Sequence, residues 1–504
     1  MMSGASTLTV AGRSGAGRGA DPHLEGPLAA IAGVPSCEQD RLLREHGETV
    51  ADHMANHFAR LRPHLAARSG FAGWQRAAGV AAAAGAVALF VIAPAVLWIV
   101  LVAAITVITA AHLVIAVAAR RRGPGRSAAS YAATIPEAEL PRYTILVPAY
   151  QEQDVIAGMV RCLEAIDYPQ DRLEALILVE RRDAATQQAI RAAAPAPFIR
   201  IVEIPPGKPQ TKPRSANAGL LLAKGDLIVI YDAEDRPDPG QLRLVAAHFA
   251  AAGDTLACVQ AKLMVANAGQ NFITRQFALE YCLRYELTLP GLARLGLPIP
   301  LGGTSNHFRT TVLRELGGWD AWNVTEDADL GMRCSALGYR VEVADSVTRG
   351  EMPHRAGAWT RQRTRWLKGF MLTALVHTRN PARTWRTFGR AGTITMLTFM
   401  AGTPLLYLAQ PIILAIWASR YTGFAARHLP VSFPLALTQL AVLAVWTALA
   451  IAAGRRHKLA TAVVAPLLPA YWLMHWPASW RGRYQLIRAP FLWEKTPHTA
   501  AAVA

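Results

Sequence analysis

Between Ala77 and Ala119 the chain carries no Asp, Glu, Lys or Arg, and only His112 interrupts an otherwise uncharged, mostly apolar run. A single membrane-spanning helix takes about 20 predominantly apolar residues, and this run is about twice that long. It also lacks the polar face that a helical hairpin in a water-soluble core would show. Two transmembrane helices over residues 77–119, with a turn near Pro94, are the expectation. Arg76 precedes the pair and Arg120, Arg121 and Arg122 follow it. Positive charge of that kind marks cytoplasmic loops, so both ends of the hairpin are expected in the cytoplasm.

Lipid returns after Phe388. Apolar runs cover Ile394–Trp417, Phe433–Ala453 and Leu459–Trp480, the first and last carrying Pro404, Pro411, Pro466 and Pro469. Residues 388–480 are expected to supply about three transmembrane or interfacial helices, and 481–504 a cytoplasmic tail. The charge rule conflicts with itself here. The loop Arg455–Lys458 and the tail with Arg481, Arg483 and Arg488 both ask to be inside, yet one apolar run separates them. Either Leu459–Trp480 does not cross, or one loop breaks the rule.

Composition agrees with a membrane protein. Hydrophobic residues make up 52% and the mean hydropathy is +0.20, at the upper edge for a soluble domain. The formal charge of +17 would suit nucleic acid, an anionic membrane face or a phosphorylated substrate. Nucleic acid is excluded as the expected partner, because much of the basic charge flanks the apolar runs. Cys37, Cys162, Cys258, Cys282 and Cys334 are scattered without ligand spacing and read as free thiols in a reducing compartment.

Residues 1–76 are expected to form a disordered tail and an amphipathic helix. The first 20 residues are rich in Gly, Ala, Ser and Arg and lack an apolar core, so no secretory leader is expected. Residues 1–36 read as the tail. From Cys37 to about Ala67, apolar positions include Val50, Met54, Phe58, Leu61 and Leu65, whose steps of four, four, three and four make one helical stripe. His46, His53, His57 and His64 around it invite a metal reading. A solvated face on a helix lying on a partner or on the membrane is preferred.

Residues 140–385 change character. Short β-type runs at Tyr143–Val147, Leu176–Val179, Ile199–Ile204 and Leu227–Tyr231 alternate with helical stretches such as Val155–Ile166 and Ser215–Ala223. That alternation predicts βαβ units on a mainly parallel sheet, with ligands beyond the carboxyl ends of its strands.

Four motifs lie in this region. Val147-Pro148-Ala149-Tyr150-Gln151-Glu152 follows the first strand, and on its own reads as a turn or a ligand site. Asp232-Ala233-Glu234-Asp235 follows the strand Leu227–Tyr231, and two carboxylates two apart at a strand end suit a hard divalent cation. Asn323-Val324-Thr325-Glu326-Asp327-Ala328-Asp329 reads as a helix start with Thr325 as cap, from which an Asp can accept a proton from a bound hydroxyl. In Trp359–Gly369, Gln362, Arg365 and Trp366 share a helix face: a guanidinium fork for phosphate beside a flat plate for a sugar ring. The same helix also suits an interface with anionic lipid.

In order and spacing these four motifs resemble the family 2 inverting membrane glycosyltransferases, relatives of cellulose, hyaluronan and chitin synthases and of a bacterial exopolysaccharide branch. The resemblance covers about Pro141 to Pro381 and extends to Leu301–Arg309, which is similar to the acceptor-side loop. It implies an α/β GT-A (Rossmann-like) cytoplasmic domain inserted between transmembrane helices, using a UDP-sugar and Mg²⁺ or Mn²⁺. By position, Pro148, Tyr150 and Glu152 would line the uridine pocket, with Glu180 near the uracil or ribose. Lys212 would contact the diphosphate and Asp232 and Glu234 would serve the metal, Asp232 from the donor side. Asp327 would be the general base, with Glu326 beside it on the acceptor side. Gln362, Arg365 and Trp366 would hold the diphosphate and the acceptor end. Two departures, Asp232-x-Glu234 in place of Asp-x-Asp and Glu180 followed by two arginines in place of paired aspartates, fit the exopolysaccharide branch better than cellulose synthase.

The implied partners are the UDP-sugar, a saccharide or lipid acceptor, membrane lipids and an accessory export or regulatory protein. The implied location is the inner (cytoplasmic) membrane. A polysaccharide synthase is the first expectation, a glycolipid synthase adding one or two sugars the alternative. A non-catalytic membrane scaffold is disfavoured by the intact Asp232, Glu234, Asp327 and Arg365. The stretch Phe491–His498 loosely resembles the gating loop of cellulose synthases. An interfacial anchor, with Trp493 in the headgroup belt and Lys495 snorkelling, is the preferred reading.

Overall fold

A computed structural model describes residues 24–120, 135–411, 433–457 and 461–495. The expectations for residues 1–23, for the end of the run reaching Trp417 and for Thr496–His498 and the tail beyond fall outside the described residues.

The chain enters through α1 (Pro27–Gly33), α2 (Ser36–Glu45) and α3 (Gly47–Leu61). The first helix corrects the expectation of a tail up to residue 36. Pro27 sits in its first turn, where a missing N–H costs nothing, Ile31 is fully buried, and Gln39 Nε2 donates to the Ile31 carbonyl at 3.1 Å. On α3 the stripe Val50, Met54 and Phe58 is buried as the spacing demanded. Its partner is the chain's own sheet domain: Asn217 Nδ2 donates to the Met54 carbonyl at 2.9 Å, and the Arg333 guanidinium lies 4.2 Å above the Phe58 ring.

Next come α4 (Gly73–Ile92) and α5 (Pro94–Ala119), separated at Ala93. Among the described residues four helices are long and apolar enough to cross a membrane: Gly73–Ile92, Ala95–Ala119, Pro381–Pro411 and Leu437–His457.

The domain that follows contains β1 (Tyr143–Ala149), α6 (Ile156–Glu164), β2 (Leu173–Glu180), α7 (Ala184–Ala192), β3 (Ile199–Ile204), α8 (Lys212–Leu222), β4 (Leu227–Ile230), β5 (Arg236–Pro237), α9 (Gln241–Ala252) and β6 (Leu256–Val265). It continues through α10 (Phe272–Cys282), a π-helical turn (Leu283–Thr288), α11 (Leu289–Arg294), β7 (Asn306–Arg309), α12 (Thr310–Glu315), α13 (Glu326–Ala336) and β8 (Arg340–Gly350). The strands form one sheet in the order β3-β2-β1-β4-β7-β6-β8-β5. Neighbours run parallel from β3 to β4 and between β6 and β8. β7 runs antiparallel to both β4 and β6, and β5 antiparallel to β8.

The expectation of a mainly parallel sheet therefore holds for one half only. Half of the expected acceptor-side loop, Asn306–Arg309, is the strand that inverts the sheet, and it is too short and too polar to announce itself. The apolar strands feed two cores by alternation. Leu146, Leu176, Leu178 and Ile228 face α8, whereas Ile145, Val147, Ile177 and Val229 face the other layer. On α8, Gly219 lets the helix press on β1, since a Cβ there would stand 2.6 Å from Leu146 Cδ2.

After the sheet come α14 (Ala356–His377), α15 (Pro381–Leu397), α16 (Phe433–Gly454), α17 (Thr461–Val464), α18 (Leu468–Leu473) and α19 (His475–Arg488). α15 bends at Gly389, whose φ of 64° breaks the helical path. The apolar run Leu459–Trp480 is not one helix. Pro466 and Pro469 remove backbone donors, and the described part is divided among α17, a 3-10 turn, α18 and the start of α19.

The α4–α5 hairpin is seated on the sheet domain through a glycine. A Cβ on Gly291 of α11 would stand 2.1 Å from the Ile115 carbonyl oxygen of α5. Trp446 Nε1 of α16 donates to Thr109 Oγ1 of α5 at 3.1 Å, tying the later apolar helices to the first pair. Overpacking of this kind costs about 1–3 kcal/mol. Gly291→Ala is expected to lower the thermal unfolding midpoint of the detergent-solubilised protein. Gly269→Ala, a position with open space around it, should leave that midpoint unchanged. Equal midpoints for both variants would dissolve the proposed seat.

Candidate active site

A cavity of about 330 Å³ opens beyond the carboxyl ends of β1, β2 and β4. All twelve residues singled out from the sequence line it: Pro148, Tyr150, Glu152, Glu180, Lys212, Asp232, Glu234, Glu326, Asp327, Gln362, Arg365 and Trp366. They arrive from six separate stretches of chain.

The first stretch turns sharply after β1. Gln151 takes φ 54°, a left-handed conformation unusual for a residue with a side chain. Its N–H donates to Asp183 Oδ2 at 2.6 Å, and the next N–H, of Glu152, donates to Thr186 Oγ1 at 3.0 Å. These two bonds hold the turn and carry the Glu152 carboxylate into the cavity.

Glu180, at the end of β2, is buried and fully engaged. Arg214 Nη2 approaches one oxygen at 3.3 Å, while Arg182 Nε at 3.1 Å and Gln210 Nε2 at 3.0 Å approach the other. The two arginines after Glu180, noted as a departure, thus divide in use: Arg182 pairs with Glu180, while Arg181 lies 4.0 Å from Glu203.

The acidic turn after β4 is built around Asp235. Its Oδ2 accepts from the Asp232 N–H at 2.8 Å and from the Thr304 hydroxyl. Asp232 and Glu234 are left on the cavity wall. Burial, then the charge of Asp232, pushes the Glu234 and Asp235 carboxyls well above the usual carboxylate range. Lys212 Nζ pairs with Asp232 Oδ1 and donates to the Gly303 carbonyl at 2.6 Å. Burial pulls the Lys212 ammonium down, but Asp232 and Glu326 outweigh it and hold it above its ordinary value.

These residues fit a divalent cation of the hard, oxygen-loving kind. Among the described residues no group of three His, Cys, Asp or Glu side chains is arranged to hold a metal by itself. Asp232 and Glu234 can supply two carboxylates, and a ligand's phosphate oxygens and water would complete the shell. The crowding that disfavours ionisation of Glu234 is what such an ion would relieve.

Acids in the first turn of α13 divide by direction. Glu326 and Asp327 face the cavity. Asp329 faces away and is fully buried, with Arg333 Nε at 2.8 Å and His377 Nε2 at 2.9 Å. Burial, then Asp327, pushes Glu326 up to about 8. Burial also raises Asp327, against the opposing charges of Arg284, Lys212 and Arg365. Thr325 does not cap the helix with its side chain, contrary to the expectation. Its N–H is taken by Asn323 Oδ1 at 3.1 Å, and its side chain is spent on contact with Gly369 of α14, where a Cβ would stand 2.4 Å away.

The opposite wall is α14. Gln362 Oε1 and Arg365 Nε are buried with no hydrogen-bond partner among the described residues. Trp366 lies nearly parallel to Tyr281, with 12° between the rings and 6.5 Å between centroids. Arg363 stacks on Trp366 at 4.5 Å and is held by Glu280 through two bonds of 2.9 and 2.5 Å.

Several lining residues carried no readable signal. Arg284 and Tyr285 reach the cavity from the π-helical turn, a feature composition does not announce. Arg284 Nη2 donates to the Pro300 carbonyl at 2.8 Å. The C-terminal stretch corrects the preference for an anchor. Trp493 lies 4.5 Å under the Arg365 guanidinium. Lys495 Nζ pairs with Glu152 at 3.0 Å and donates to the Tyr150 and Gln151 carbonyls. The strap is fixed because Arg481 holds Glu494 by two bonds of 2.5 Å and Lys368 Nζ donates to the Leu492 carbonyl at 2.8 Å.

The fold is of GT-A type. Residues 141–369 match the profile of the family described as "Glycosyltransferase like family 2". The chain is 28% identical over 238 residues to a probable glycosyltransferase, YdaM, of Bacillus subtilis, a match covering 46% of this chain and 56% of that one. It is 27% identical over 240 residues to beta-monoglucosyldiacylglycerol synthase of Synechocystis, covering 47% and 49%. It is 26% identical over 243 residues to glucomannan 4-beta-mannosyltransferase 7 of Arabidopsis thaliana, covering 46% and 43%. The chain thus spans about half the length of the curated relatives it matches.

The raised carboxyls yield a pH prediction. Folded Glu326 binds its proton up to about pH 8, whereas an unfolded Glu releases it near pH 4.3. Above the unfolded value the native state holds more protons, so stability falls as pH rises and the loss is complete only above the folded value. In chelator, the unfolding midpoint is expected to drop between about pH 5 and pH 8 and to level off above that. Mn²⁺ should recover part of that drop, and Asp232→Ala should abolish the recovery. A midpoint indifferent to Mn²⁺ in the wild type would remove the cation from this site.

Proposed function

We propose that the protein is a membrane-embedded inverting glycosyltransferase, a hexosyltransferase that moves a sugar from a UDP-sugar onto a growing polysaccharide. One observation carries this reading. A single cavity sets the Asp232/Glu234 pair, the Asp327 carboxylate at a helix start and the unbonded Gln362 Oε1 and Arg365 Nε atoms around a space of about 330 Å³.

Each group has a task. Pro148, Tyr150 and Glu152 form the nucleoside end, and Glu180 braces that wall through Arg214. Lys212 and Arg365 present cations to the diphosphate, the guanidinium as a two-pronged donor. A divalent cation, Mg²⁺ or Mn²⁺, when bound at Asp232 and Glu234, supplies neutralisation of charge on the departing diphosphate. Asp327 accepts the proton of the acceptor hydroxyl as that oxygen attacks the anomeric carbon. The bond to the diphosphate oxygen breaks on the opposite face, which inverts the centre. Trp366 and Tyr281 offer the acceptor sugar an apolar plate, and Glu326 lies beside the base.

The acceptor has two sources. A polysaccharide acceptor is supported by the likeness to a glucomannan mannosyltransferase, and such a polymer would call for an accessory export or regulatory protein. A lipid acceptor, giving a glycolipid, is supported by the likeness to a glucosyldiacylglycerol synthase. Membranes supplied with labelled UDP-sugars separate the two by whether label enters a high-mass polymer or an organic-extractable lipid. The proposed setting is the inner membrane with the sheet domain in the cytoplasm. A broken, non-crossing 461–473 segment puts Arg455 and Arg481 on one side and removes the conflict in the charge rule.

Asp327→Asn is expected to lower turnover by about 10²–10⁴ while UDP affinity stays within twofold or so, because a base acts on the acceptor proton and not on the bound donor. Retention of more than about a tenth of turnover would remove Asp327 from that role. For the strap, ending the chain after Pro490 should depress turnover per molecule without lowering the amount of inserted protein. An anchor would show the reverse, with less protein and unchanged turnover.

A further inference from the structure

The last helix, α19, has two apolar faces where a surface helix needs one. His475, Ala478, Ser479, Gly482, Gln485 and Leu486 are buried. They lie against α14, and the contact is close enough that a Cβ on Gly482 would stand 3.2 Å from the Thr364 carbonyl. On the outer face, Trp476, Trp480, Tyr484 and Ile487 are exposed by 38%, 43%, 65% and 67%. Their steps of four, four and three make a single stripe along the helix. Leu473, Leu467 and Val463 are further exposed apolar residues in the segment that joins α16 to α19.

The chemistry of the stripe names its occupant. Tryptophan and tyrosine collect where hydrocarbon meets headgroup, since each ring has an apolar body and a polar tip. The helix contains no Asp or Glu. Arg483 and Arg488 are exposed and make no ion pair among the described residues, and Arg483 lies 5.5 Å over the Trp480 ring. A cationic, aromatic, acid-free face is complementary to an anionic lipid surface.

The inner side of this helix is wired to the cavity. Arg481 and Gln485 both bind Glu494. Lys368, one turn beyond Arg365 on α14, donates to the Ala489 and Leu492 carbonyls at 3.4 and 2.8 Å. Those bonds set the strap that lays Trp493 on Arg365 and Lys495 on Glu152. A shift of α19 along α14 moves the strap with it.

We propose that the outer face of α19 docks on anionic lipid headgroups, and that this seating sets how tightly the strap closes over the donor end of the cavity. The coupling rests on the donor-site reading above; the docking does not.

The test uses the full chain in nanodiscs of zwitterionic lipid, with and without an anionic phospholipid. A fluorophore on Tyr484→Cys, in a Cys37→Ser, Cys162→Ser background, is exposed in turn to headgroup nitroxide lipid and to a water-soluble quencher. Quenching by the headgroup nitroxide, strengthened by anionic lipid, is expected. Quenching by the soluble agent alone, or shielding from both as a protein partner or second copy would produce, overturns the docking. Anionic lipid is also expected to lower the KM for the UDP-sugar with kcat nearly constant. Arg483→Gln with Arg488→Gln should abolish that benefit, at most on the order of fivefold per arginine at such a surface. A KM indifferent to lipid charge overturns the coupling. The quenching arm needs no turnover, so an inactive preparation would count against the transferase reading and leave the docking decided.

Discussion

Glu152, Asp232, Glu234, Glu326 and Asp327 share a cavity of about 330 Å³, and carboxylates so close and so poorly hydrated cannot all be ionised without nearby cations. Much of the architecture is the delivery of those cations. Lys212 comes from the start of α8, behind the sheet. Arg365 comes from α14, against which α19 packs. Lys495 comes from the far end of the described chain. Remove any one and the acids it faces are pushed further toward the neutral form, in which they can neither hold an ion nor take a proton. The same logic explains the buried pair behind the site. Asp329 is kept ionised by Arg333 and His377 despite complete burial, so it fastens α13 to α14 without entering the chemistry.

The parts of this structure legible in the sequence are those in which one physical preference dominates. β1 to β4 are continuous apolar runs because strands covered on both faces have no polar side. The 77–119 hairpin was legible because so long an uncharged stretch with a proline near its middle forms two long apolar helices that meet at Ala93. Local patterns also placed the acids of the first three motifs, since each sits at a strand end or a helix start, and the helical spacing placed Gln362, Arg365 and Trp366 on one face.

The rest depends on contacts far apart in the chain. β7 is a strand only because β4 and β6 lie on either side of it. Arg284 enters the cavity through a π-helical turn whose extra residue rotates the side chain inward, and no composition signal marks it. α1 looked like the end of a tail because a short helix gains its stability from what it lies on. The strap carried a weak pattern, but its place was decided by Glu494 finding Arg481. Leu459–Trp480 left crossing and non-crossing both open from its hydropathy, and its described part is divided into short helices around Pro466 and Pro469.

The contact between Thr325 and Gly369 is small, yet it brings the backbones of α13 and α14 as near as side chains allow. The first helix carries the proposed base and the second the proposed phosphate clamp, and the buried His377–Asp329 contact joins them again a turn or two further on. Breathing motions therefore cannot separate the two, and a change in either helix is expected to need an answering change in the other. Descendants of this chain that come to accept a different sugar or acceptor have their freedom elsewhere, in the Tyr281, Tyr285 and Trp366 wall and in the strap, where a side chain can change size without disturbing the spacing between base and clamp.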